Sequence, residues 1–273
     1  ENVAVGRSTL ISNTTGSENV AVGSRALDAN TTGSSNIGVG ADAMGAVTTG
    51  NTNVAVGGAT MVTNTVGDRN VAIGYQALKT YNPASNEDSY NIAIGYNALF
   101  ADTTGKQNTA IGGLALDANT TAHNNVAIGY LSMTSNTTGA SNTAIGVDSL
   151  SSNTTASNNT AIGKDALKTN TTGADNTTGG DNTAVGANAL DSNTTANHNV
   201  AVGKLALGAN TTGTRNTALG TFSLDANTTA NDNTAIGYDA LGANTTGTDN
   251  TAVGTFALLS NTTGNENTAV GNE

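Results

Sequence analysis

The stretch Asn-Thr-Ala-Ile-Gly at residues 233–237 returns as Asn-Thr-Ala-Val-Gly at residues 250–254, seventeen residues later. Close variants of it run through the whole 273-residue chain. The leading asparagine stands at Asn2, Asn19, Asn36, Asn53, Asn70, Asn91, Asn108, Asn125, Asn142, Asn159, Asn182, Asn199, Asn216, Asn233, Asn250 and Asn267, which makes sixteen starts. Neighbouring starts differ by 17 except where 91 − 70 = 21 and 182 − 159 = 23, so two insertions, of four and six residues, interrupt the array. They divide a single repeat array over 1–273 into blocks 2–90, 91–181 and 182–273.

A short unit repeated side by side builds a solenoid, because one unit alone cannot bury its apolar residues. Helix-pair repeats need roughly 33 residues or more, so a 17-residue unit carrying one or two glycines has no room for two helices and their turns. Strands fit. Counting the asparagine as position 1, positions 2 and 4 are Val, Ile, Leu or Thr in every copy, the alternation of a strand with one buried face. The expected fold is an all-β parallel β-solenoid of 17-residue coils, with the insertions bulging out as loops that leave the stack intact.

Size assigns the faces. Position 4 (Val5, Ile73, Ile145, Leu219, Val253) and the leucines of the second side (Leu27, Leu78, Leu150, Leu241), with Met44, Met61 and Met133 as substitutes, are expected inside. Position 2, Val or Ile in eight copies and Thr in eight, shares that face near the edge of the coil. Glycine closes the strand in all sixteen copies, which implies a corner with positive φ or no room for a Cβ. The recurring asparagine suggests an amide ladder along the stack. Position 3 then faces outward, yet it is Ala in fifteen copies and Gly38 in the other. A row kept this small, including Ala110, Ala127, Ala144, Ala161 and Ala184, implies close packing against another chain.

The phrases NVAVG, NVAIG and NTAIG followed by xxAL resemble the head repeats of trimeric autotransporter adhesins of the YadA type. The longer NTAIGxxALxxNTTG unit also resembles arrays in phage tail-fibre proteins. The resemblance covers essentially the whole chain. It implies a left-handed β-roll, a homo-trimer, and a place on a surface fibre that meets a host cell or substratum through a glycan or protein ligand. The unit is longer than the usual adhesin head repeat, and neither the membrane anchor nor the chaperone domain of such proteins is expected within these 273 residues. The chain opens and closes inside a repeat, as a piece of a longer protein would.

The first insertion, around residues 80–91, holds the only proline and two tyrosines, and Tyr81 and Tyr90 offer stacking faces for a sugar. The second duplicates a hexapeptide over residues 170–181. Glu87 with Asp88, or Asp175 with Asp181, supply carboxylates for Ca²⁺ but not the six to eight oxygens it takes, so no metal or cofactor is expected. There is no cysteine, and His123 and His198 lie 75 residues apart, so no Cys/His pair can form. No GxSxG elbow or phosphate loop is present. The chain is not expected to be an enzyme.

A net charge of −11 with no basic cluster disfavours nucleic acid. No apolar run reaches the length of a membrane span, so no membrane insertion is expected in this segment. The NTT phrases match the N-glycosylation pattern at Asn13, Asn30, Asn119, Asn136, Asn153, Asn170, Asn176, Asn193, Asn210, Asn227, Asn244 and Asn261, and equally suit a turn. Threonine rows on a flat solenoid also suggest an ice-binding face, although adjacent threonines on a strand point oppositely. The sequence therefore reads as an extracellular structural or adhesive fibre segment, at a cell surface or on a virion. A monomeric ice-binding or glycan-binding solenoid is the alternative.

Overall fold

The computed structural model describes residues 1–171 and 181–273. The chain is an all-β parallel β-solenoid, and among the described residues there is no helix. It divides into two compact units, Glu1–Thr138 and Gly139–Glu273, so the division falls at neither insertion. The first unit holds β1 (Val3–Val5), β2 (Val20–Val22), β3 (Ile37–Val39), β4 (Val54–Val56), β5 (Val71–Ile73), β6 (Ile92–Ile94), β7 (Thr109–Ile111) and β8 (Val126–Ile128). The second holds β9 (Thr143–Ile145), β10 (Thr160–Ile162), β11 (Thr183–Val185), β12 (Val200–Val202), β13 (Thr217–Leu219), β14 (Thr234–Ile236), β15 (Thr251–Val253) and β16 (Thr268–Val270).

Within each unit every strand pairs in parallel with the next in sequence, like position on like position, as in Val3↔Val20 and Ala4↔Ala21. The register survives both insertions: Val71 pairs with Ile92 and Thr160 with Thr183. The strands are only three residues long, so most of the stack is held outside them. Arg25 N–H donates back to the Arg7 carbonyl at 2.9 Å, and Leu27 N–H donates forward to the Ala43 carbonyl at 3.1 Å. Left-handed φ values at positions 7, 9 and 17 (+55° at Arg25, +52° at Leu27, +59° at Ser35) recur from coil to coil. Each such residue costs roughly 1–2 kcal/mol for a side chain with a Cβ. The bonds to neighbouring coils and the burial of the position-9 leucine offset that strain.

The corner glycine has a stricter role. At Gly146 φ is +139°, and a Cβ would stand 2.4 Å from the Gly163 carbonyl oxygen of the following coil. Both conformation and contact exclude any other residue.

The faces are the reverse of those expected from size. Position 3 points into the chain's own coil: Ala110, Ala127, Ala144, Ala161 and Ala184 are fully buried. Positions 2 and 4 point outward, with Ile73 38%, Ile145 37% and Leu219 45% exposed. The position-9 residues are inside as expected, Leu27, Leu78, Leu150, Leu241, Met44, Met61 and Met133 all being buried. They set the width available. At Gly38, where the alanine is missing, an added Cβ would lie 3.3 Å from Leu27 Cγ of the preceding coil. The alanine methyl therefore fills the space that Leu leaves, and a larger side chain would force the coil open. The alanine row is small because the interior is narrow, and it is not a surface offered to another chain.

The two sides of one strand make this testable. Ala161→Leu overpacks the interior and is expected to lower stability by about 1–3 kcal/mol, whereas Ile162→Thr next to it should change single-chain stability by only about 0.5 kcal/mol. Urea unfolding followed by circular dichroism measures both.

Candidate interaction surface

Turning the alanines inward leaves an outward stripe of Val, Ile, Leu and Thr along each unit. Neither position 2 nor position 4 carries a charged residue in any strand. The composition changes between units. Position 2 is Val or Ile in β1–β8 except for Thr109, and Thr in β9–β16 except for Val200. Position 4 is Val, Ile or Leu throughout. Uncharged over successive coils and apolar at position 4 throughout, such a stripe is the kind of surface that marks an interaction site.

A second row lies just past the corner glycine, at positions 6 and 7. Tyr75, Tyr96, Tyr130 and Tyr238 are all exposed there. The rings of Tyr75 and Tyr96 are nearly parallel, 10° apart with centroids separated by 6.1 Å. Gly58 and Gly113 occupy the same position one coil earlier than Tyr75 and Tyr130, and a Cβ on them would meet those rings at 3.4 and 3.5 Å. In the second unit Phe222, Tyr238 and Phe256 meet edge to face, with centroids 5.9 and 5.5 Å apart.

The first insertion does not present the tyrosine pair expected of it. Tyr81 is fully buried, its hydroxyl donating to Ser89 Oγ, and burial pushes its phenol up to about 12. Counted from Asn70, Tyr81 stands at position 12, an interior slot, so its ring serves as core and has no face for a sugar. Tyr90 is half exposed, but the Arg69 guanidinium lies 5.8 Å from its ring centroid and its hydroxyl donates to Asp88. Glu87 is paired with Lys106 at 2.7 Å and Asp88 with Arg69. The other proposed carboxylate, Asp175, and the sequon asparagine Asn176 lie outside the described residues. Asp181 stands 3.8 Å from His198 Nδ1, and His123 Nδ1 accepts the Lys106 N–H at 2.9 Å. Among the described residues no three His, Cys, Asp or Glu side chains gather in one place, and no helix is long and apolar enough to cross a membrane.

The asparagines form two buried ladders where one was expected. At position 1, Asn19 Oδ1 accepts the Asn36 N–H at 2.9 Å, and Asn19 Nδ2 donates to the Gly33 carbonyl at 2.8 Å. At position 12, the asparagine of NTT, Asn227 Nδ2 donates to Asn210 Oδ1 at 3.0 Å and to the Ala230 carbonyl at 3.2 Å. The following threonine is committed as well, Thr211 Oγ1 donating to the Thr228 carbonyl at 3.0 Å. Asn30, Asn119, Asn136, Asn153, Asn170, Asn193, Asn210, Asn227 and Asn244 are all buried. A glycan on Nδ2 would remove the ladder proton and find no room, so in the folded chain these NTT phrases are structural turns.

The chain matches no protein-family model, no curated protein and no solved structure.

Asn210→Ala removes one rung, depriving Asn193 Oδ1 and Asn227 Nδ2 of a partner. Leaving buried polar groups short of partners costs about 1–3 kcal/mol, and denaturant unfolding should show a loss of that size, with no comparable loss for Ala on the exposed Thr212.

Proposed function

We propose that this chain is a segment of an extracellular structural or adhesive fibre, carried at a cell surface or on a virion, in which copies pack together through the outward strand stripe. The observation that carries this reading is the uncharged row at positions 2 and 4. A chain of net charge −11 repels its own copies over most of its surface. The stripe is where identical chains can approach without placing like charges together. Burying Ile145, Ile162 and their neighbours against a second copy would remove a row of part-exposed β-branched side chains from water.

The assembly proposed is a homo-trimer, as the NTAIG-type repeats of trimeric adhesins and tail fibres suggest. Its work would be mechanical and multivalent. In-register coils extend the chain, and the exposed aromatic rows recur along it, so many weak contacts to a glycan or protein ligand would multiply across chains. The all-threonine run at position 2 of the second unit, broken only at Val200, favours a second reading, a single-chain face meeting ice or a polysaccharide.

Ile145→Lys combined with Ile162→Lys tests the assembly. Light scattering should give a mass near three chains for the original protein and near one chain for the variant, with circular dichroism unchanged because both side chains point away from the core. A single-chain mass for the original protein would sink the packed fibre and bring the threonine-face reading forward.

A further inference from the structure

Position 12 is a rung of the inner amide ladder, and one occupant is an acid. Asp102 is fully buried, between Tyr81 and Asn119 at the same repeat position of the coils before and after it. The asparagines at this position share one donation, Nδ2 giving a proton to the carbonyl three residues on, as at Asn30, Asn210 and Asn244. At Asn64 and at Asn261 the side-chain oxygen accepts the N–H of the glycine three residues on at 2.9 Å, and Nδ2 donates to that glycine's carbonyl at 3.0 Å. Asp102 reproduces the accepting half, Oδ1 taking the Gly105 N–H at 2.8 Å and Asn119 Nδ2 at 3.3 Å. Its Oδ2 therefore stands where the other rungs carry a donor, and it is buried with no hydrogen-bond partner.

A carboxylate has no proton to give, and a buried charge without a partner is costly. With a proton on Oδ2 the acid becomes an isostere of the asparagine amide, donating to the Gly105 carbonyl and still accepting at Oδ1. That carbonyl has a lone pair to spare. It accepts Asn91 Nδ2 at 2.7 Å, and its counterpart at Gly33 accepts both Asn19 and Asn30, at 2.8 and 3.0 Å.

We propose that Asp102 is a proton-dependent rung that ties the first insertion to the stack, closed while the acid is neutral and loosened when it ionises. The groups around it fit this role. From the preceding coil it meets the phenol of Tyr81, whose hydroxyl is bonded to Ser89, and Ser89 Oγ donates to the Glu87 carbonyl. From the following coil it meets the neutral amide of Asn119, and from its own coil the backbone of Thr103 and Gly105. The acidic neighbours Glu87 and Asp68 act on Tyr81, and Lys106 is taken up by Glu87. Among the described residues no cation pairs with Asp102. Burial raises its carboxyl to about 7 against the opposing hydrogen bonds from Gly105, Asn119 and Thr103.

The sign follows from linkage. A carboxyl whose folded value lies above its unfolded one, about 3.8, binds a proton on folding. Its stabilisation is complete below pH about 4, falls as the pH rises towards about 7, and is absent above that. Asp102 and its neighbour Tyr81 are both fully buried, so water reaches an ionised Oδ2 only if the packing around it opens.

Asp102→Asn in the full chain provides the test. Asparagine is the ladder's own residue, and Asn64 already works behind a neighbour with no amide, Val47, so the variant should fold. The folded-to-unfolded ratio of the variant relative to the original protein should climb with pH by up to about tenfold per unit between pH about 4 and 7, then level off. Amide exchange in residues 81–89, corrected for its intrinsic pH dependence, should accelerate above pH 7 in the original protein and not in the variant. Parallel stability profiles would overturn the proposal, as would a carboxyl carbon resonance of Asp102 that titrates below pH about 4.5.

Discussion

The structure depends on hydrogen bonding from one coil to the next at a fixed register. A coil of seventeen residues encloses little beyond two alanines, one leucine or methionine and two asparagines, too few apolar atoms to hold the chain by burial alone. What makes such a thin core tenable is that most of its polar contents are satisfied. Position-1 amides such as that of Asn19 bond the backbone of their own coil and of the next, and position-12 amides such as that of Asn227 close their own turn while reaching the rung beside them. These bonds are short and directional, so they demand that identical positions stack on one another, and that demand makes the sequence repeat. The corner glycine belongs to the same constraint, since its carbonyl lies where the neighbouring coil's Cβ would be.

With polar groups and small residues filling the inside, the larger β-branched residues are left on the outside of the strands. This reverses the ordinary distribution and gives the molecule its most suggestive surface, an uncharged stripe on an acidic protein. The proposed fibre uses that stripe for self-association and leaves the turns, with their charged side chains and exposed tyrosines, to solvent and ligands. Bonds between coils settle the fold of one chain, and the outward face governs what the chain can join.

Departures from the repeat show how much the ladder tolerates. Val47 replaces a rung outright and leaves Asn30 Oδ1 without a partner, and Tyr81 fills the slot with a ring held by Ser89. Asp102 keeps the shape of a rung and changes its chemistry. The first insertion leaves from this same stretch, so the proposed proton-dependent rung sits beside a place where the chain departs from its repeat.

Much of this was legible in the residues. The 17-residue period, the strand at positions 2–4 and the parallel in-register stacking that survives both insertions all follow from spacing, because a strand can pair only with its own copy one coil away. The inward leucines, the forbidden Cβ at the glycine and an amide ladder followed from recurrence. The register also held two signals that went unread: counted from Asn70 and Asn91, Tyr81 and Asp102 fall on position 12, an interior slot. The phase of the strand was another matter. A three-residue alternation is satisfied by either face, and residue size favoured the wrong one. Only the tertiary structure decides it, because the width of the coil is set by Leu27 and its equivalents reaching across from the other side. What remains opposite them is room for a methyl group, so alanine goes in and isoleucine goes out.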